Sequence, residues 1–125
     1  MEDIEILDNF VDKREFRNYI SNILAQLGFI DYSIDDVRVS DDYNINDNDL
    51  IAYRMGMKYT IQTFLNKDIT MKEINETKED MEHENVSYGV IITNREVNED
   101  IKNKAFENGI EVIDRRELRG AIERS

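Results

Sequence analysis

The chain has 125 residues, 40% of them apolar, which suits one domain with a buried core and is short for two. It holds no cysteine and a single histidine, His83, which excludes a disulfide framework and thiolate zinc sites and argues against a histidine-dependent triad. The formal net charge is −12, so the average field repels polyanions. No apolar run is long enough to span a membrane and no apolar leader opens the chain, so the expected location is the cytoplasm.

In chain order, residues 1–10 fit either a short helix through Ile4, Leu7 and Phe10 or a strand through Ile4 and Ile6. The first clear helix runs from about Asp12 to Leu27. Asp12 caps it with Glu15 at the third position, and Phe16, Ile20, Ile23, Leu24 and Leu27 repeat at helical spacing. Gly28 is its stop. A short strand is expected around Val37 and Val39, followed by a polar turn or loop from Ser40 to Asn48. Leu50–Arg54 and Lys58–Leu65 read as strands, joined by Met55-Gly56-Met57 at a length that suits a hairpin.

Thr70 with Glu73 is a capping box that opens a helix to about Glu82, with Met71, Ile74, Thr77 or Lys78, and Met81 as its inner stripe. Val86–Thr93 is a strand whose nearly continuous apolar run predicts burial on both faces. Glu96–Glu107 is a helix with Ile101, Ala105 and Phe106 inward and Gly109 as its stop. Ile110–Ile113 is a strand, and Asp114, with Glu117 three residues on, caps a last helix carrying Leu118, Ala121 and Ile122. The chain lacks proline, repeats and Gly/Ser-rich linkers, so one domain over 1–125 is expected. A hairpin followed by helical crossovers predicts an α/β fold, with a mixed sheet covered on both faces and an αβββαβ core.

Several segments resemble the Mrr-like branch of the restriction-endonuclease fold. Glu15-Phe16-Arg17 through Gln26-Leu27-Gly28-Phe29 is similar to its opening helix, and Asp49-Leu50-Ile51-Ala52 to its Asp-Leu-Ile-Ala strand. Tyr59-Thr60-Ile61-Gln62 resembles the strand that leads into Gln-x-Lys. Gly89–Asn94 and Asn108–Asp114 resemble the last two core strands, and Glu117-Leu118 the helix after them. The resemblance covers about residues 14–122. It implies a DNA endonuclease with Asp49 as metal ligand, Gln62 as a helper through its side-chain oxygen, and Mg²⁺ as the cofactor if the site is active.

Two departures bear on that implication. The family's lysine falls at Phe64, and the glutamate usual after the phenylalanine of the first helix falls at Arg17. Residues two apart on a strand share a face, so Phe64 places an apolar ring beside Gln62 where a cation is expected. One carboxylate and one amide oxygen also make a poor site for Mg²⁺, which prefers charged oxygens. The residues carry plainer readings too: Asp49 as a turn residue before a strand, Gln62 as a solvent-facing strand residue, and Arg17 as a surface helix residue. The sharper reading of Arg17 is a cation that pairs with Asp49 and fills the old metal site.

Lys58 and Lys67 are the lysines that could replace the missing cation, but Lys58 lies about 13 Å along the strand from Gln62, and Lys67 lies beyond the strand end and needs a bend to reach back. Asp42-Tyr43-Asn44-Ile45-Asn46 opens like a calcium loop, but Asp47 stands where glycine is needed and Tyr53 where a bidentate glutamate is needed, so it is read as solvated acidic loop. Arg115, Arg116 and Arg119 form either a basic patch or an ordinary solvated helix face, and His83 reads as a surface residue.

Three functions follow. The first is a degenerate nuclease domain acting as a binding or assembly module. The second is an active metal-dependent DNA endonuclease with a rearranged site. The third is an acidic mimic of DNA. The partners to be expected are DNA, from the resemblance and against the net charge, or a protein partner or second copy of the chain, and no membrane.

Overall fold

The computed structural model describes residues 6–34 and 50–124. Helix α1 (Lys13–Ile23) runs on into a 3₁₀ turn, Leu24–Leu27. Strands β1 (Ile30–Ile34), β2 (Leu50–Arg54) and β3 (Met57–Phe64) follow, then helix α2 (Met71–Glu84), β4 (Tyr88–Thr93), α3 (Glu99–Glu107), β5 (Ile110–Ile113) and α4 (Arg115–Arg124). The strands form one sheet in the order β1-β2-β3-β4-β5. Strand β2 runs antiparallel to both of its neighbours, β1 and β3, whereas β3, β4 and β5 run parallel. This is the expected αβββαβ core followed by one more crossover.

The helix ends obey the capping logic in the sequence. Asp12 Oδ1 accepts the Glu15 amide at 2.9 Å, and Glu15 in turn accepts the Val11 amide. The Thr70–Glu73 capping box is complete. Asp114 accepts the Arg116 amide while Glu117 accepts the Asp114 amide, so α4 opens on the same reciprocal device. Gly28 ends the first helical segment at φ 95°, a conformation costly for any residue with a Cβ.

Two apolar layers cover the sheet. On one face, Phe16, Ile20 and Leu24 of the first helix and Leu118 and Ile122 of α4 pack on Leu50, Ala52, Ile61, Val90 and Ile92. On the other, Ile74 and Met81 of α2 and Ala105 of α3 pack with Phe64, Ile91, Ile110 and Val112. Strand β4 is buried from Gly89 to Thr93, as its continuous apolar run predicts for a strand covered on both sides. Gly89 is what lets α2 lie close: a Cβ there would sit 2.9 Å from the Met81 sulfur.

Some expectations need correction. The first described strand is Ile30–Ile34, which the polar residues Asp31 and Ser33 hid from the sequence reading. The strand expected at Val37–Val39 and the loop from Ser40 to Asn48 lie outside the described residues, as does the segment that opens like a calcium loop. Met71 is exposed, and α2 instead buries Glu73, Ile74, Thr77, Asp80 and Met81. Helix α3 begins at Glu99, capped by Asn98, three residues later than expected. Phe106 points outward and is 78% exposed, because it turns about 100° around the helix from buried Ala105.

Candidate functional site

The end of β3 carries the residues singled out in the sequence. Gln62 pairs with Ile91 and Phe64 with Thr93 across the parallel ladder. Both side chains face α2: the Gln62 oxygen accepts the Thr77 hydroxyl of that helix at 2.9 Å, and Phe64 joins the apolar layer beneath it. The Thr77 hydroxyl is itself anchored on the Glu73 carbonyl at 3.0 Å. Gln62 is thus drawn into a helix–sheet contact, and its shared face with Phe64 follows the two-residue strand period. The plainer expectation for Gln62, a solvent-facing edge residue, does not fit this partly buried position in a central strand.

Phe64 is 6% exposed, yet two ammonium groups lie over its ring, Lys13 Nζ at 5.4 Å from the centroid and Lys67 Nζ at 5.6 Å. Such cation–ring contacts are attractive. Lys67 comes from just beyond the strand, and the bend it needs is supplied by Asn66, which sits at φ 56°. Asn94 holds that bend: its side-chain oxygen accepts the Asn66 amide at 2.8 Å and its side-chain nitrogen donates to the Asn66 oxygen at 2.9 Å. Asn and Asp adopt this left-handed conformation more readily than other residues with a Cβ. Lys67 also pairs with buried Glu73 at 3.4 Å. Burial alone would raise the Glu73 carboxyl, but hydrogen bonds from Thr70 and contact with Lys67 outweigh it and hold it below its ordinary value.

Lys13 was missed in the sequence because it lies 51 positions from Phe64 and opens a helix whose apolar stripe excludes it. Thr77 appeared only as one choice for the inner stripe of α2. Lys58 pairs with Tyr53 near the other end of β3 and has no place in this cluster. Arg17 donates to the Asn18 side chain at 2.9 Å. Asp49 immediately precedes β2 in the sequence and lies outside the described residues, and the expected closeness of Asp49 to Gln62 and Arg17 falls outside them with it.

The surrounding loops form a polar cleft of about 270 Å³ lined by Asp8, Asn66, Asn94, Arg95, Glu96 and Arg115. Its cations are matched by local acids: Arg115 forks onto Asp8 at 2.9 and 3.0 Å, and Arg95 meets Asp68 at 3.2 Å. The Arg115 contact keeps the Asp8 carboxyl below its ordinary value. Arg116 is likewise committed, to Asp114 at 3.2 Å and Glu99 at 3.9 Å. Arg115 and Arg116, two of the three arginines that offered either a basic patch or a solvated helix face, are therefore charge-compensated, and the third, Arg119, is half-buried on α4.

The order of helices and strands and the mixed sheet suit the restriction-endonuclease-like fold, with Gln62 two residues before the end of β3. The Mrr-type restriction endonuclease profile covers residues 8–122. The chain belongs to that family. No curated protein matches it. Among solved structures it is similar to the DNA modification-dependent restriction endonuclease AspBHI, with a TM-score of 0.74 at 13% identity. That match covers 98% of this chain and 34% of AspBHI, so the chain spans about a third of that protein. It is also similar to a protein of unknown function, AF1548, with a TM-score of 0.55 at 21% identity over 77% of this chain and 54% of that one. At these identities the structural likeness speaks to the fold.

Mrr-type nucleases hydrolyse phosphodiesters with a divalent metal, and the described residues at this end of β3 do not fit one. The Gln62 oxygen is an uncharged amide ligand with one of its two lone pairs on the Thr77 hydroxyl, the adjacent face is a phenylalanine ring, and Glu73 is spent on its cap and on Lys67. A hard cation needs several free, preferably charged, oxygens. Among the described residues no three acidic or histidine side chains cluster closely enough to hold a metal. No described helix is long and apolar enough to cross a membrane.

Proposed function

We propose that this chain is a single Mrr-type nuclease module that no longer cuts DNA and serves as a binding or assembly unit. The observation that carries the reading is the buried Phe64 ring in the family's lysine position, beside a Gln62 oxygen already committed to Thr77. Phosphodiester hydrolysis needs developing negative charge neutralised and a water activated. Phe64 can do neither, and Gln62 offers only an uncharged amide oxygen, which also accepts the Thr77 hydroxyl. Lys13 supplies positive charge at the same end of the sheet, beside a Lys67 already matched by Glu73, which suits holding a phosphate without breaking its ester.

The same two lysines favour one other reading. Either ammonium group could stand in for the strand lysine, which leaves an active DNA endonuclease with a rearranged site and Mg²⁺ as its cofactor. The two readings separate in one experiment: incubation of the protein with plasmid DNA in Mg²⁺ or Mn²⁺, alongside Asp49→Ala, Lys13→Ala and Lys67→Ala. The non-cutting module gives background nicking in all four. The rearranged nuclease gives cleavage in the wild type, lost with Asp49→Ala and with one of the lysine variants. The acidic-mimic reading has less support, since the cations and acids at this end are paired with one another.

A further inference from the structure

The end of the sheet opposite Gln62 and Phe64 holds a different constellation. Tyr59 and Tyr88, near the starts of β3 and β4, lie about 17 Å along the strands from Phe64 and Thr93. Their rings are 5.6 Å apart, and Phe29 meets Tyr59 edge-on at 5.4 Å. The Arg54 guanidinium lies over both Phe29 and Tyr59, 4.6 and 4.8 Å from their centroids. Its charge is met by Glu111 Oε1 at 2.7 Å. Beside this stack is a pocket of about 240 Å³ lined by Arg54, Tyr59, Tyr88, Phe106, Glu111 and the backbone around Gly89 and Gly109.

Three properties describe what this pocket takes. It is aromatic: Tyr88 is 39% exposed and Phe106 is 78% exposed, and both line the recess. It is neutral, because Arg54 and Glu111 cancel. It has one directed polar handle, since the Glu111 side chain is 44% exposed and keeps Oε2 as an acceptor after Oε1 takes Arg54. The volume is below the roughly 300–1,000 Å³ of sites for drug-sized ligands, so it suits one ring system.

We propose that this pocket binds a nucleobase bearing an exocyclic amine, stacked against Tyr88 and Phe106 with its amino group donating to Glu111. Aromatic faces and an arginine plane are the elements on which unpaired bases stack. Glu111 favours adenine, cytosine or guanine over thymine, which has no exocyclic amine and presents a carbonyl there. The base arrives either on a free nucleoside or on an unpaired stretch of nucleic acid. The site is separate from the Phe64 end, and the proposal does not rest on whether that end cuts.

The test is an amide-resolved NMR titration of the full chain with adenosine, cytidine and thymidine, and with oligo-dA, oligo-dT and an abasic oligonucleotide. Shifts at Tyr88, Gly89, Gly109 and Glu111 with adenosine and cytidine, several-fold weaker with thymidine, support the proposal and identify a free nucleoside as source. The same shifts with oligo-dA, absent with the abasic strand and with nucleosides, support it with the base arriving on a strand. Tyr88→Ala and Phe106→Ala alter exposed rings, so the fold should survive, which circular dichroism checks. Each should weaken binding on the order of tenfold. Glu111→Gln should reduce the preference over thymidine. No response at these amides to any probe, or undiminished binding in Tyr88→Ala and Phe106→Ala, overturns the assignment.

Discussion

Restoring the family's lysine at position 64 should break the fold before it restores any chemistry. In Phe64→Lys, three losses coincide. The ring is nearly fully buried against α2 and β4, and removing its apolar surface costs about 2–3 kcal/mol. Two cation–ring contacts, from Lys13 and Lys67, disappear, at about 0.5–1 kcal/mol each. The new ammonium then sits near two others that lay 5.4 and 5.6 Å from the old ring centre. Each like-charge pair at that range costs about 0.7 kcal/mol in water-like surroundings and roughly 3 kcal/mol at an effective dielectric of 20.

The combined cost is about 4 kcal/mol or more, a large share of the roughly 5–15 kcal/mol that stabilises a domain. Urea unfolding followed by far-UV circular dichroism measures it, with Phe64→Leu as a control that keeps an apolar side chain and leaves the local charge unchanged. Phe64→Leu loses the same two ring contacts and some packing and should cost about 2–3 kcal/mol, with Phe64→Lys well beyond it. A Phe64→Lys protein within about 1 kcal/mol of wild type would refute the view of Phe64 as a packed plug flanked by cations.

Further expectations follow from other contacts. Asp114 is buried, accepts the Val97 amide at 3.0 Å and faces Lys102 at 3.3 Å and Arg116 at 3.2 Å, so Asp114→Asn should cost about 3 kcal/mol by urea unfolding. Burial alone would raise this carboxyl, but contacts with Glu117, the Val97 amide, Arg116 and the Lys102 charge outweigh it and hold it well below the ordinary carboxylate range. A depressed carboxyl stabilises the fold above its unfolded value near 3.9, so wild-type stability should fall as the pH drops below about 5, less steeply in Asp114→Asn. Thr77→Val keeps the shape of a buried side chain but removes the donor to Gln62, and should lower stability by about 1 kcal/mol without inducing cleavage. Gly89→Ala places a methyl 2.9 Å from the Met81 sulfur and should cost about 1–3 kcal/mol in thermal unfolding.

Much of the fold was legible because its signals were local. The Thr70–Glu73 and Asp114–Glu117 boxes, the Met55-Gly56 turn and the apolar run of β4 each depend on residues within one element. The unforeseen strand Ile30–Ile34 shows the limit: Asp31 and Ser33 interrupt its apolar pattern, whereas Val37 and Val39, outside the described residues, carry the stronger β-branched signal. Phe106 was assigned inward from apolar character alone. At the site, the shared face of Gln62 and Phe64 followed from strand period, but its surroundings did not. Lys13, Thr77 and the bend at Asn66 come from three separate segments, and the hydrogen bonds that fix Asn66 reach across 28 residues to Asn94. Tertiary contacts of that kind leave no periodic trace.

The most direct test of the central claim is cleavage of supercoiled plasmid by the unaltered protein, followed on agarose in Mg²⁺ and in Mn²⁺ against an Asp49→Ala control. With Phe64 in place of the family's lysine and Gln62 held by Thr77, wild type and Asp49→Ala should both leave the plasmid at the background level of nicking. Metal-dependent cleavage by the wild type that disappears in Asp49→Ala would contradict the non-cutting module and establish a rearranged nuclease.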